Sequence, residues 1–75
     1  MEISLDGLLT GRYGIVTSID VNAGLKGRLA SFGFVEGTQV GCRYRSPGGS
    51  VTAVEFRSTV LALRTRDLQN ILVQC

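Results

Sequence analysis

The stretch GLKGRLASFGFVEGTQV, residues 24–40, decides the fold because it contains a short amphipathic helix, a signal that ends the helix, and a turn into a strand. Leu25, Leu29 and Phe32 recur at intervals of four and three residues, which places them on one face of a helix. Asn22, just before them, is a suitable N-cap. These residues predict a helix that packs against a β-sheet.

The end of this helix is indicated by two neighbouring residues. Gly33 suits the left-handed position that terminates a helix, and Phe34 beyond it can fold back on Leu29, as in a Schellman C-cap. Gly37 then suits a tight turn with positive φ. The strand that follows is predicted to have an apolar face formed by Val40, Cys42 and Tyr44 and an opposite face formed by Gly41, Arg43 and Arg45.

Upstream of the helix, the sequence predicts a short apolar lead-in and then one strand. The lead-in contains Leu5, Leu8 and Leu9 and ends at Thr10-Gly11. Apart from Val16, the next residues alternate as in a half-buried strand, with Tyr13, Ile15, Thr17 and Ile19 on one side and Arg12, Gly14, Ser18 and Asp20 on the other.

Downstream of the helix, turn signals separate further strands. The cluster Ser46-Pro47-Gly48-Gly49-Ser50 is strong enough to reverse the chain before a strand from Val51 to Arg57. Arg57-Ser58 can form a two-residue connection into the next strand, although neither residue favours a primed turn. That next strand, Thr59 to Leu63, is almost continuously apolar, which predicts burial on both of its faces.

The last part of the chain predicts one helical turn and one strand. Thr65 can cap a turn from Arg66 to Gln69, with Asp67 favourably placed near its N-terminus. Ile71 to Val73 then form a short apolar closing strand.

Together these elements predict a mainly β fold: five short strands, one short α-helix after the first strand, and a helical turn before the last strand. Ten glycines against one proline fit short strands joined by tight turns, and 75 residues leave room for a single domain, residues 1–75. A sheet of this size avoids open edges by curling into a small barrel. The natural candidate is an SH3-like five-stranded barrel.

The composition argues against an enzyme and against a metal or cofactor site. The chain has no histidine, the commonest general base and transition-metal ligand. Cys42 falls on the predicted core face and has no visible base, so we interpret it as a packing residue. Cys75 is expected to be an exposed free thiol, with an intermolecular disulfide or a metal contact left open. The six acidic residues are too scattered to hold a divalent ion.

The charge pattern gives only weak support for a nucleic-acid ligand. The net charge is +2, and the eight basic residues are spread along the chain. Tyr44 is predicted on the face opposite Arg43 and Arg45, so that the ring and the cations do not form one stacking surface. No signal peptide and no apolar run of membrane-spanning length is visible, so we expect a cytoplasmic protein without direct membrane insertion.

The segments SFGFVEGTQV and TVLALRTRDLQNILV resemble the ferrous iron transport protein A family, FeoA. In that family a leucine-rich helix ends at a glycine, a Pro-Gly turn follows, and a Leu-Ala-Leu-Arg strand precedes a helical turn and a terminal apolar strand. Here these features fall on Phe32-Gly33-Phe34, Glu36-Gly37, Leu61-Ala62-Leu63-Arg64 and Ile71-Leu72-Val73. Glu36 replaces the usual turn proline, and the loop at residues 46–50 is shorter than is typical for the family.

The resemblance implies a small cytosolic accessory protein that docks on FeoB, the ferrous iron transporter with a GTPase domain. Because no iron ligands are visible, the metal would be handled by the partner. An alternative is a free-standing relative of the SH3-like C-terminal domain of metal-dependent repressors, binding a regulator or peptide. Nucleic-acid binding is a weaker third hypothesis, which predicts a steep salt dependence. Self-association through an edge strand is left open.

Exposure and polarity suggest where a protein partner would make contact. The first group is the helix surface with its C-terminal corner, and the second is the arginine strand: Lys26, Arg28, Ser31 and Phe34, then Arg43 and Arg45. A separate set is assigned to structural turns: Gly33, Gly37, Pro47, Gly48 and Gly49.

Overall fold

The computed structural model describes all 75 residues and contains six strands, two α-helices and one 3-10 turn. In chain order the elements are β1 (Glu2–Ser4), the 3-10 turn (Leu5–Gly7), β2 (Tyr13–Ile19), α1 (Ala23–Ser31), β3 (Gln39–Arg45), β4 (Val51–Phe56), β5 (Thr59–Arg64), α2 (Thr65–Leu68) and β6 (Ile71–Gln74). The predicted mainly β class is confirmed, with α1 and α2 at the predicted places.

The strands form one antiparallel sheet in the order β1-β6-β2-β3-β4-β5. The five predicted strands are present, and the structure adds β1, which pairs with β6 through Ile3 opposite Val73. Local sequence does not indicate β1, because a three-residue strand acquires its conformation only from pairing with a segment at the other end of the chain. The two edges of the sheet are therefore β1 and β5.

One apolar core lies against the inner face of the sheet. Phe34 and Phe56 meet edge to face, with ring centroids 5.1 Å apart and an interplanar angle of 74°. Burial of a large apolar side chain contributes about 1.5–3 kcal/mol, so this core supplies the main stabilising term. Its fourteen members are Leu5, Leu8, Val16, Ile19, Leu29, Phe34, Val40, Cys42, Val54, Phe56, Leu63, Leu68, Ile71 and Val73.

The start and the end of α1 follow the sequence prediction. The Leu25 N–H donates to Oδ1 of Asn22 at 2.8 Å, which is the expected N-cap. At the other end Gly33 has φ +90°, the Gly33 N–H donates to the Ala30 carbonyl at 2.9 Å, and the Phe34 N–H donates to the Leu29 carbonyl at 2.9 Å. These two bonds make a Schellman motif.

A buried threonine that the sequence did not single out holds the turn after α1. The Thr38 hydroxyl donates to the Gly33 carbonyl at 3.1 Å and accepts from the Val35 N–H at 3.2 Å. Thr38 is buried, so both groups are satisfied away from water. The helix end and the start of β3 are therefore fixed together.

A register shift in β2 changes which side chains face the core. The pairing of β2 with β6 slips between Val16 and Ser18, and both Val16 and Ile19 are buried. Tyr13 and Ile15 point outward and are half-exposed. The predicted alternation, with those two residues on the apolar face, is wrong because a β-bulge breaks the period of two.

A second register shift, in β3, has a larger consequence for the predicted surface. Pairing with β4 slips between Cys42 and Tyr44. Val40 and Cys42 are buried as predicted, but the bulge turns Tyr44 outward, where it is 60% exposed. The assignment of Tyr44 to the core is wrong, and with it the argument that this ring and Arg43 lie on opposite faces.

The predicted burial of both faces of β5 is also wrong. Leu63 is buried and Leu61 packs against the core, whereas Val60 is 52% exposed and Ala62 is exposed. Burial alternates along β5, so only one of its faces packs against the core and the alternate residues remain in solvent.

Candidate protein-interaction site

The predicted contact residues of α1 divide into exposed and buried ones. Lys26, Arg28 and Ser31 are exposed, and the Ser31 hydroxyl donates to the Arg28 carbonyl at 2.6 Å. Phe34 is 0% exposed, so its expected contact with a partner is wrong. The Schellman turn directs Phe34 back beneath the helix, where its ring meets Phe56.

The arginines of β3 are already engaged within the chain. Arg43 lies 3.5 Å from the Glu55 carboxylate in an exposed ion pair. The Arg45 guanidinium donates to the carbonyls of Asp6 and Leu8, which ties the lead-in to the sheet. Arg45 therefore has a structural role, and its expected place in a contact surface with Arg43 stays a prediction.

A groove between α1 and β5, which we call the α1–β5 groove, brings together residues that sequence reasoning did not connect. It places the exposed Arg28 of α1 on the same open surface as Arg64 of β5. The lining residues are Asn22, Gly24, Leu25, Arg28, Ala62, Leu63, Arg64 and Asp67. Arg64 and Asp67 were missed as candidates because nothing local in Leu-Ala-Leu-Arg shows that the strand is an edge.

The edge of β5 supplies unpaired backbone groups beside this groove. Phe56 and Thr59 are paired across the two-residue turn, so Thr59, Leu61 and Leu63 exchange their backbone bonds with β4. The N–H and C=O groups of Val60 and Ala62 consequently point away from β4, toward a side on which β5 has no neighbouring strand. Such groups are ready to pair with another extended chain.

The turn at the start of β5 has an uncommon backbone conformation. Arg57 and Ser58 have φ of 49° and 63°, the type I′ geometry that glycine and asparagine favour. The Arg57 side chain extends over the end of α1, since a Cβ built on Gly33 would lie 3.3 Å from Arg57 Cδ. The tip of the β4–β5 hairpin is thus in contact with the helix cap.

A second, more apolar groove lies at the other edge of the sheet, formed by the start of the chain and β2. Its lining residues are Met1, Ile3, Gly7, Leu8, Leu9, Arg12, Tyr13 and Cys75. The Cys75 thiol donates to the Met1 carbonyl at 3.7 Å, and the buried Cys42 lies 4.0 Å from the Thr10 hydroxyl. We call this the N-terminal groove.

The cysteine and carboxylate side chains do not form a metal-binding cluster. No group of three or more cysteine and carboxylate residues is close enough to hold a metal ion. None of the helices combines the length and the apolar character that crossing a bilayer requires. What the α1–β5 groove presents is guanidinium groups and free strand backbone, which are groups that bind a polypeptide.

Comparison with known proteins gives a consistent result. The FeoA domain pattern matches residues 3–75. The solution structure of a FeoA protein from Chlorobium tepidum superposes with a TM-score of 0.92 at 25% identity, covering 96% of this chain and 69% of that one. The crystal structure of Stenotrophomonas maltophilia FeoA, complexed with zinc and described as a prokaryotic SH3 domain protein, gives 0.78 at 28% identity, covering 99% and 89%.

A more distant likeness shows that the fold is shared more widely. A manganese-dependent transcriptional repressor superposes with a TM-score of 0.84 at 20% identity, covering 97% of this chain but 41% of the repressor. At that identity the similarity shows the fold alone. No curated protein matches the chain.

Proposed function

The chain belongs to the FeoA family, and we propose on that basis that it is a non-catalytic accessory protein of ferrous iron uptake. It acts in the cytoplasm and docks on the cytosolic part of a FeoB-type transporter. The observation that carries the proposal is the match of the FeoA domain to residues 3–75, together with the superposition on a solved FeoA structure with a TM-score of 0.92.

The mechanism that suits such a chain is a change in the balance between states of its partner. A small rigid domain shifts the conformation of a transporter only through a difference in affinity for two of its states. The fixed helix end, held by the Schellman motif and by Thr38, supports a surface that keeps its shape on binding. Docking would therefore stabilise one state of the transporter or one step of its nucleotide cycle.

The contact surface that we assign to this function is the α1–β5 groove with the exposed side of α1. Lys26, Arg28 and Ser31 remain from the sequence-based hypothesis, and Arg64 joins them. Arg43 is a weaker candidate, because Glu55 already offsets its charge. Phe34 is buried and no longer belongs to the set, and Arg45 is a weaker candidate because its guanidinium already bonds to the lead-in.

An NMR titration of the isotope-labelled chain tests the docking. The partner is the cytosolic domain of a co-encoded FeoB-type transporter, loaded in turn with GDP and with a GTP analogue. Saturable shifts on α1 and β5 that Arg28→Glu weakens, and that the exposed control Arg12→Glu in the N-terminal groove does not, support the proposal. If neither this domain nor the full transporter in lipid discs binds, the proposal is wrong.

The alternative function, a free-standing relative of a repressor domain, has one observation in its favour, the superposition on the manganese-dependent repressor. That likeness concerns the fold. The same labelled chain, titrated with the purified repressor of the same organism, tests this alternative directly. Binding there with none to the transporter would favour the alternative.

A further inference from the structure

The free edge of β5 lacks most of the devices by which proteins usually prevent strand addition, apart from the charge of Arg64 at its end. The strand pairs with β4 over six successive residue pairs without a register shift, so no bulge turns the edge away. It contains neither proline nor lysine, and Val60 and Ala62 are exposed. The opposite edge, β1, is only three residues long, which is itself a protection. The edge of β5 is therefore open to the addition of another strand.

There is open space beside this edge for another extended chain. A strand that adds to a sheet lies about 4.8 Å from its neighbour. Three consecutive residues of β5, Ala62 to Arg64, form one wall of the α1–β5 groove, and α1 forms the other. Ala62, one of the two residues with unpaired backbone groups, lines the groove, so a segment that lies in the groove can reach this part of the edge.

The charges around the edge favour an acidic occupant. The chain has one ion pair, Arg43 with Glu55, so Arg28, Arg57 and Arg64 have no carboxylate partner. Arg57 lies at one end of β5, and Arg64 lies at the other. The single carboxylate that lines the groove is Asp67. Guanidinium groups bind carboxylates by charge-assisted, often bidentate hydrogen bonds.

The same charges disfavour a second copy of this chain as the occupant. Antiparallel pairing of two β5 strands would bring Arg64 of one copy toward the Arg57 end of the other, and the like charges would repel. An acidic segment in the same place would instead meet a cation at each end. The observations thus favour a partner protein over self-association.

We propose that the free edge of β5 is a strand-addition site for an extended acidic segment of a partner protein. The backbone of the segment exchanges hydrogen bonds with Val60 and Ala62, and its carboxylates bind Arg64 and Arg28. The geometry stands on this chain alone. The inference rests on the proposed function only for the source of the segment, which would be the transporter.

The test uses a defined peptide, acetyl-Ser-Glu-Val-Glu-Val-Glu-Val-Ser-amide, titrated into the labelled full chain. We expect saturable shifts centred on β5 and slower hydrogen exchange of the Val60 and Ala62 amides. Two matched peptides separate the contributions, one with lysine in place of each glutamate and one N-methylated at all three valines and all three glutamates, which blocks both edges of the extended chain. Each should bind at least about tenfold more weakly, because it loses either the carboxylates or the backbone donors.

Substitutions in the protein, with the peptide unchanged, test the same site. Ala62→Pro removes an outward N–H that the fold does not use, and Ala62→Val is the control that keeps it. Arg64→Glu reverses one cation, with Arg12→Glu as its control. We expect Ala62→Pro and Arg64→Glu to weaken the acidic peptide at least about tenfold and the controls less than about twofold. If Ala62→Pro fails to fold, the N-methylated peptide and Arg64→Glu answer the question.

Several results would overturn the proposal. The proposal is wrong if the three peptides bind equally, if no peptide binds saturably, or if the shifts are confined to the N-terminal groove. It is also wrong if sedimentation without peptide shows a dimer that forms through β5. The outcome is separable from that of the proposed function. Peptide binding without transporter binding refutes the function and keeps the site, whereas transporter binding that Ala62→Pro leaves unchanged refutes the site and keeps the function.

Discussion

At the scale of single residues, Gly33 occupies the point where the end of α1 meets the β4–β5 hairpin. Its φ of +90° allows the Schellman turn, its carbonyl accepts the Thr38 hydroxyl, and its missing side chain leaves room for the Arg57 stem. Three independent constraints therefore apply to one position. A side chain here disturbs both the helix cap and the hairpin tip.

Gly33→Val is expected to lower the free energy of unfolding by more than about 1 kcal/mol, because a β-branched residue is strained at positive φ. The new Cβ would also lie 3.3 Å from Arg57 Cδ, so the Arg57 side chain has to move. Chemical denaturation measures the change. An unchanged unfolding midpoint would contradict the assignment of Gly33 as the residue that ends the helix.

Ser58→Gly should act in the opposite direction. Ser58 has φ 63° at the second position of a type I′ turn, where glycine is favoured and an L side chain costs about 1 kcal/mol. We expect the melting temperature to rise by a few degrees, about 2–5 °C. Ser50→Gly is the matched control, since Ser50 is exposed and lacks positive φ, and it should give no gain. Equal effects of the two changes would contradict the turn geometry.

Residue-level predictions from the sequence succeeded where a local rule governs the conformation. Asn22 and Gly33 act through bonds to residues three or four positions away, so the pattern alone locates them. Tyr44 failed because the bulge before it arises from pairing with β4, and Arg45 failed because its acceptors, the Asp6 and Leu8 carbonyls, are remote in sequence. Contacts between segments that are far apart in the sequence cannot be predicted from the local residue pattern.

At the scale of elements, α1 is a short helix that is held by its caps and one buried leucine more than by intrinsic propensity. It contains Gly24 and Gly27, and only Leu29 is buried. A glycine inside a helix often marks a position where another element approaches closely. Gly27 has no such role, since a Cβ at this position would meet nothing within 4 Å.

Gly27→Ala should therefore stabilise the protein by about 0.5–1 kcal/mol, the usual difference in helix propensity. Thermal unfolding should show a rise of about 3–6 °C in Tm for a chain of this size. Gly33→Ala is the control, since the same chemical change at φ +90° should lower the Tm. A loss of stability in Gly27→Ala would mean that α1 packs more closely than the structure indicates.

In the candidate site, too, the features set by local sequence could be predicted, and the features set by contacts between distant segments could not. The sequence placed α1 and its polar residues correctly, and with them Lys26, Arg28 and Ser31 as exposed groups. It did not identify β5 as an edge, because that depends on which strands lie beside it. The β4–β5 hairpin itself was predictable from Arg57-Ser58 as a two-residue connection, but its free side was not.

At the scale of the whole molecule, the fold joins its two ends and leaves its charges largely unpaired. The Met1 ammonium donates to the Cys75 carbonyl at 2.8 Å, and β1 lies beside β6. Stability comes from one apolar core and a hydrogen-bonded sheet, with a single ion pair at the surface. The arginines of the α1–β5 groove are therefore available for binding and contribute little to folding.

Because the groove arginines serve binding and contribute little to folding, salt should weaken peptide binding strongly and change the stability of the fold little. An exposed ion pair contributes about 0–1 kcal/mol, so raising NaCl from about 50 to 500 mM should change the Tm by less than about 3 °C. Over the same range the acidic peptide should bind at least about tenfold more weakly, because screening acts on the Arg28 and Arg64 contacts. Chloride is the anion to use, since sulfate strengthens apolar burial and would obscure the comparison. A salt-independent affinity would show that the peptide is held by its apolar side chains and backbone alone, and a large fall in Tm would show that the arginines stabilise the fold after all.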